Sequence, residues 1–143
     1  MTIMPFHLSI PVSDLTTARR FYGELLGCSE GRSADKRVDY NFFGHHLVAH
    51  LEPNDASHKT TDIDSFGIKT PARHFGVVVT HDEFQRLAKR LAKAKAHFYS
   101  EPQTVFPGEV KEQDIMLVHD DCGNVVEFKA SKFGLFDKEK KAV

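Results

Sequence analysis

The sequence predicts an α+β chain built from two successive repeats of one strand, one helix and three further strands. Three observations carry that prediction. A period-two apolar stretch leading into a capped helical stretch occurs twice, over residues 6–26 and 73–94. Between the two copies, residues 53–72 have no apolar periodicity and are rich in Asn, Asp, Ser, Thr, Gly and Pro. Near the end, DIMLVHDDCGNVVEFKA (114–130) reads as two strands joined by a Gly/Asn turn, with Glu127 in the return strand.

Residues 6–12 alternate, with Phe6, Leu8, Ile10 and Val12 on one face and His7, Ser9 and Pro11 on the other. The even-numbered face is the apolar one. Ser13 and Asp14 are placed to cap a helix over 15–26, whose apolar positions Leu15, Ala18, Phe21, Tyr22, Leu25 and Leu26 keep helical spacing, and Gly27 is placed to end it. Residues 28–32, 37–43 and 46–52 give three short strands. The stretch 53–72 reads as a long connection, the joint between the halves and a potential lid. Residues 73–80 restart the pattern as a strand. Thr80-His81-Asp82-Glu83 then fits a capping box ahead of an amphipathic helix carrying Phe84, Leu87, Ala88, Leu91 and Ala94. A short strand at 97–100, a loop through Pro102, Pro107 and Gly108, and the closing hairpin complete the second repeat. We expect one domain of 143 residues, with repeat 1 at about 5–52, linker 53–72, repeat 2 at about 73–130 and a charged, solvated tail at 131–143.

With 41% hydrophobic residues the chain has enough apolar mass for a core. Nineteen basic against twenty acidic residues give a net charge of -1, which leaves no electrostatic footprint for nucleic acid or an anionic membrane. The expected partner is a small molecule. No apolar run reaches the roughly 18 residues of a membrane span, and the N-terminal stretch lacks the form of a signal peptide, so the expected location is cytoplasmic. Cys28 and Cys122 form no CxxC and are expected to be reduced thiols.

Nine histidines invite a search for metal ligands. Overlaying the halves pairs His7 with His74 at the two first strands, and Leu47-Val48-Ala49-His50-Leu51 with Asn124-Val125-Val126-Glu127-Phe128 at the two fourth strands. Any one of these is an ordinary strand residue. Four ligand-type side chains in equivalent positions are a constellation. Repeats related by a pseudo-twofold would gather first and fourth strands around a common centre, where imidazole and carboxylate suit zinc, iron, nickel or manganese. Two His and one carboxylate would leave coordination positions open for a substrate that binds through oxygen.

FHLSIPVSDLTTARRFYGELLG (6–27), HFGVVV (74–79) and DDCGNVVEFKA (120–130) together resemble the vicinal oxygen chelate superfamily of glyoxalases, extradiol dioxygenases, and fosfomycin- and bleomycin-resistance proteins. The resemblance covers residues 6–130. It implies paired βαβββ modules forming an open, cupped mixed sheet around one divalent metal, with His7, His74 and Glu127 as ligands. His50 stands where glyoxalase-type members carry a fourth ligand, commonly a glutamate, and would act as fourth ligand or acid/base. Single paired-module members commonly form homodimers. This chain departs from the family's D-P-x-G-N-x-x-E ending by placing Asp121 where proline is usual, which should alter the hairpin entry and leave the ligand in place.

A histidine in place of the glyoxalase glutamate removes the carboxylate that shuttles the proton in isomerisation, and it is compatible with extradiol oxygen chemistry, in which a nearby histidine serves as acid/base. The expectation is therefore a divalent-metal-dependent enzyme, narrowly dioxygenase-like, with glyoxalase-type lyase/isomerase chemistry as the alternative. A metal-free drug-sequestering protein is the rival from another class. Transferase action on fosfomycin would need a basic phosphonate pocket, for which the sequence offers no clear cluster. Tyr40, Phe42, Arg73 and Gln113 are substrate-binding candidates, although aromatic residues in a half-buried strand more often pack a core. Lys111 and Arg37 are candidates beside Arg73 and Gln113 for holding an anionic substrate, although surface Lys and Arg are the default. His45, His46, His58, His81, His97 and His119 are expected to be exposed.

Overall fold

The computed structural model describes residues 2–65 and 67–136. They form two compact units: the residues up to His74 together with His119–Val125, and Phe75–Val118 with the described residues from Val126 onward.

The first unit begins with β1 (His7–Val12) and α1 (Leu15–Ala18), and continues as a π-helical stretch over Arg19–Leu25. Asp14 caps the helix, accepting from Thr17 N at 2.7 Å, and Gly27 closes it at φ +76°. The expected single α-helix is thus widened in its second half, where Leu26 N reaches back five residues to Phe21 O at 2.9 Å. Adjacent Phe21 and Tyr22 in that stretch are both buried. Then come β2 (Glu30–Ala34), β3 (Arg37–Phe42) and β4 (His45–Leu51), giving a sheet of order β1-β4-β3-β2 in which β1 and β4 are parallel. Its apolar face carries Ile10, Val12, Val38, Tyr40, Phe42, Leu47 and Ala49, all buried. Tyr22 lies against Tyr40 there, with ring centroids 5.4 Å apart.

The connection 53–72 is not structureless. It contains a helical turn, α2 (Pro53–Ala56), and a two-stranded antiparallel hairpin, β5 (Asp62–Ser65) with β6 (Ile68–Pro71). Those strands are mostly polar and pair through their backbones, so no apolar alternation announced them.

The second unit repeats the order with β7 (Phe75–Val78), α3 (His81–Lys93), β8 (Phe98–Val105), β9 (Gln113–His119) and β10 (Val125–Ser131), as a sheet of order β7-β10-β9-β8. Thr80 caps α3 by accepting from Glu83 N at 3.2 Å, while the Glu83 carboxylate binds Arg86 at 2.8 Å, so only half of the capping box forms. Phe84, Leu87 and Leu91 of α3 are buried, as are Ile115 to Val118 of β9. The result is an α+β fold of two βαβββ modules. The charged residues 137–143 lie outside the described residues. No described helix is long and apolar enough to cross a membrane.

Candidate functional site

Alternation along β1, β3 and β4 leaves the face opposite the aromatic core to His7, His46, His50, Asp39 and Arg37. The parallel ladder sets His7 opposite His46, and the antiparallel one sets Asp39 opposite Val48, the next residue of β4 on that face. His7 Nδ1 and His46 Nδ1 are 2.9 Å apart with their rings stacked, and His46 Nε2 is 3.1 Å from Asp39 Oδ2. Asp39 is only 4% exposed. Its Oδ1 has no hydrogen-bond partner among the described residues, with Arg37 Nε 3.6 Å away. Asp39, His46, Asn41 and Arg32 help line a cleft of about 410 Å³.

His46 was expected to be exposed. Instead it lies within β4, half-buried between two polar partners, because it shares the parity of His50 rather than sitting in the turn. His119 is half-buried as well, whereas His45, His58, His81 and His97 are exposed. The equivalence drawn between His50 and Glu127 also shifts. Glu127 pairs with Gly76, two residues after His74, whereas His50 pairs with Pro11, four residues after His7. The residue two after His7 is Ser9, and it faces Val48. His50 keeps the polar face, displaced two residues along the strand.

His74 directly precedes β7, and its Nδ1 lies 2.6 Å from Pro71 O. A carbonyl only accepts, so Nδ1 donates, and in the neutral ring the lone pair is on Nε2. In the second unit, Glu127 has a side chain 12% exposed and an ion pair with Lys129 at 3.5 Å. Among the described residues no three His, Cys, Asp or Glu side chains converge closely enough to hold one ion. His7, His50 and His74 belong to the first unit and Glu127 to the second.

Tyr40 and Phe42, proposed from sequence as substrate contacts, lie in the core at 1% and 4% exposure, because their parity faces the helix. Arg73 is exposed. Gln113 is half-buried in a second-unit cleft of about 540 Å³. In that cleft Asp114 receives Thr104 Oγ1 at 2.6 Å and pairs with His81 Nδ1 at 2.8 Å.

The closing turn is a polar knot within the first unit. Buried Asp120 accepts from Cys122 N and Asn124 N through Oδ1, and from Tyr22 Oη and Asn124 Nδ2 through Oδ2, at 2.7–2.9 Å. Asn124 Nδ2 also donates to Pro11 O at 2.9 Å, which ties the turn to the end of β1. Asp121 takes φ +59°, a conformation closed to proline.

Residues 5–128 match the Glyoxalase/Bleomycin resistance protein/Dioxygenase superfamily. The chain belongs to that superfamily. A glyoxalase/bleomycin resistance protein/dioxygenase from Alicyclobacillus acidocaldarius is 30% identical, with 93% of this chain and 92% of that one covered, at a TM-score of 0.72. The fosfomycin resistance protein FosX from Listeria monocytogenes is 14% identical over 92% and 96% of the two chains, at a TM-score of 0.70. A lactoylglutathione lyase from Agrobacterium tumefaciens is 18% identical over 90% and 92%, at 0.63. The latter two likenesses show the fold alone. No curated protein matches the chain. Membership of the glyoxalase superfamily thus spans several chemistries, and residues must choose among them.

Proposed function

We propose that this chain is a divalent-metal-dependent enzyme that chelates neighbouring oxygens of a small substrate, with His7, His74 and Glu127 as ligands and His50 as fourth ligand or acid/base. The observation that carries it is the His74 Nδ1–H bond to Pro71 O, the backbone anchor that metal-binding imidazoles commonly use to present Nε2. The donor types fit iron, manganese, zinc or nickel. A bound ion would act as Lewis acid on the substrate oxygens. Around it the chain's own groups would do the rest: Arg73 and Gln113 hold the substrate, and His50 moves a proton. β4 brings imidazoles and no carboxylate to its polar face, which favours oxygen-consuming, dioxygenase-like chemistry over glyoxalase-type isomerisation. We also propose that the chain works as a cytoplasmic homodimer, since single paired-module members of the superfamily commonly associate.

Elemental analysis of protein purified without tag or chelator, beside His74→Ala and Glu127→Ala, tests this. The expected result is near-stoichiometric metal in the wild type, lost in both variants. Iron-loaded protein given a catechol panel should then consume oxygen; no uptake with any catechol sinks the dioxygenase preference. Metal that is absent and cannot be reloaded anaerobically sinks this reading and favours a metal-free small-molecule binder.

A further inference from the structure

His46 and Asp39 have no place in the ligand set, yet they form a hydrogen-bonded line ending on His7. We infer that Asp39 and His46 are positioning residues that fix His7 as its Nδ1–H tautomer and so present its Nε2 to the ion. The second half of that statement rests on the proposed metal-dependent function; the first does not.

The donor and acceptor roles follow in order. A carboxylate only accepts, so His46 Nε2 donates across the 3.1 Å to Asp39 Oδ2. With both rings neutral, His46 carries its lone pair on Nδ1, and His7 Nδ1, 2.9 Å away, is the donor, which leaves the lone pair of His7 on Nε2. The 2.9 Å separation is that of a hydrogen bond.

Strand pairing holds this line in place. Asp39 is buried in β3, His46 lies half-buried in β4, and the parallel register sets His7 directly opposite His46. Arg37 and Arg32 lie 3.6 and 4.0 Å from the Asp39 carboxylate. Outer partners of this kind typically change metal affinity by about 10- to 100-fold when removed.

Long-range ¹H–¹⁵N correlation spectra of the chelator-treated full chain at pH 8 report the tautomers directly, without metal and without activity. The expected pattern is Nδ1–H for His7 and Nε2–H for His46. Finding His7 as Nε2–H overturns the inference. In His46→Leu the pattern of His7 should change and the Zn²⁺ dissociation constant, measured against a chromophoric chelator, should rise by about 10- to 100-fold. His46→Gln, whose amide can accept from His7 and donate to Asp39, should restore both. Unchanged Zn²⁺ affinity in His46→Leu also overturns it. A His7 Nδ1–H tautomer in a wild type that binds no metal would sink the metal-dependent function and leave the Asp39–His46–His7 line standing.

Discussion

Tyr22 and Asp120, 98 residues apart in the chain, are joined by a 2.7 Å hydrogen bond in which both groups are fully buried. The hydroxyl donates, and burial together with the neighbouring Asp120 carboxylate pushes the phenol well above its ordinary range. Tyr40, its ring tilted against that of Tyr22, also has a buried hydroxyl, but one with no hydrogen-bond partner among the described residues. The two tyrosines therefore respond oppositely to loss of the oxygen. Tyr22→Phe should cost about 1–3 kcal/mol, since a buried acceptor loses a donor. Tyr40→Phe should be neutral or stabilising by up to about 1 kcal/mol, since an unsatisfied polar atom leaves the core. Urea denaturation of the two variants beside the wild type measures both signs.

Gly76 lies opposite Glu127 in the β7–β10 ladder, where a β-carbon would run into the Glu127 carbonyl group. The obstacle is backbone, which no side-chain rotation relieves. Gly76→Ala should therefore cost on the order of 3 kcal/mol or more, seen as a fall in Tm of roughly 10 °C. Gly23→Ala is the control, because nothing lies within 4 Å of its added carbon and its φ is not positive. Its Tm should be unchanged or slightly raised.

What was legible in the sequence depended on burial of one face. In β1, Ile10 and Val12 face the core while His7 and Ser9 are exposed, so alternation alone gave the strand and its sidedness. The caps at Asp14 and Thr80 were legible because their side-chain oxygens replace missing helical acceptors. The two-residue displacement of His50 was not, because sliding a strand by two keeps every residue on its face and the hydrophobic pattern constrains only odd slips. The Asp39–His46–His7 line was missed for a related reason. It arises across three strands, from registers that no single stretch of sequence reveals, although the shared parity of His46 and His50 was there to be read.

Burial raises the Cys28 thiol from the ordinary 9.0 to about 11, opposed in part by a backbone hydrogen bond at Phe43. Cys122 is raised further, first by burial and then by Asp120. The folded state holds these protons more tightly than the unfolded chain. Their stabilising contribution is accordingly complete below pH 9 and is lost as pH rises, for Cys28 between about 9 and 11. Wild-type stability should fall across that window, and Cys28→Ala should fall less steeply. At pH 8 neither thiol should react with a thiol-disulfide reagent until denaturant is added, whereupon both react. Urea midpoints against pH and a thiol titration check the two halves of this statement.

Asp121 occupies the place where the family ending usually has proline, with φ +59° on the exposed side of the turn that Asp120 organises. Proline's ring holds φ near about −65°, so Asp121→Pro cannot be accommodated without moving Cys122, whose N–H is bound to Asp120 and whose carbonyl accepts from Ser13 N at 3.0 Å. That variant should lose about 2–3 kcal/mol. Asp121→Gly, which reaches positive φ without a β-carbon in the way, should be neutral or gain up to about 1 kcal/mol. If both variants unfold at the wild-type urea midpoint, the left-handed turn does not exist in solution.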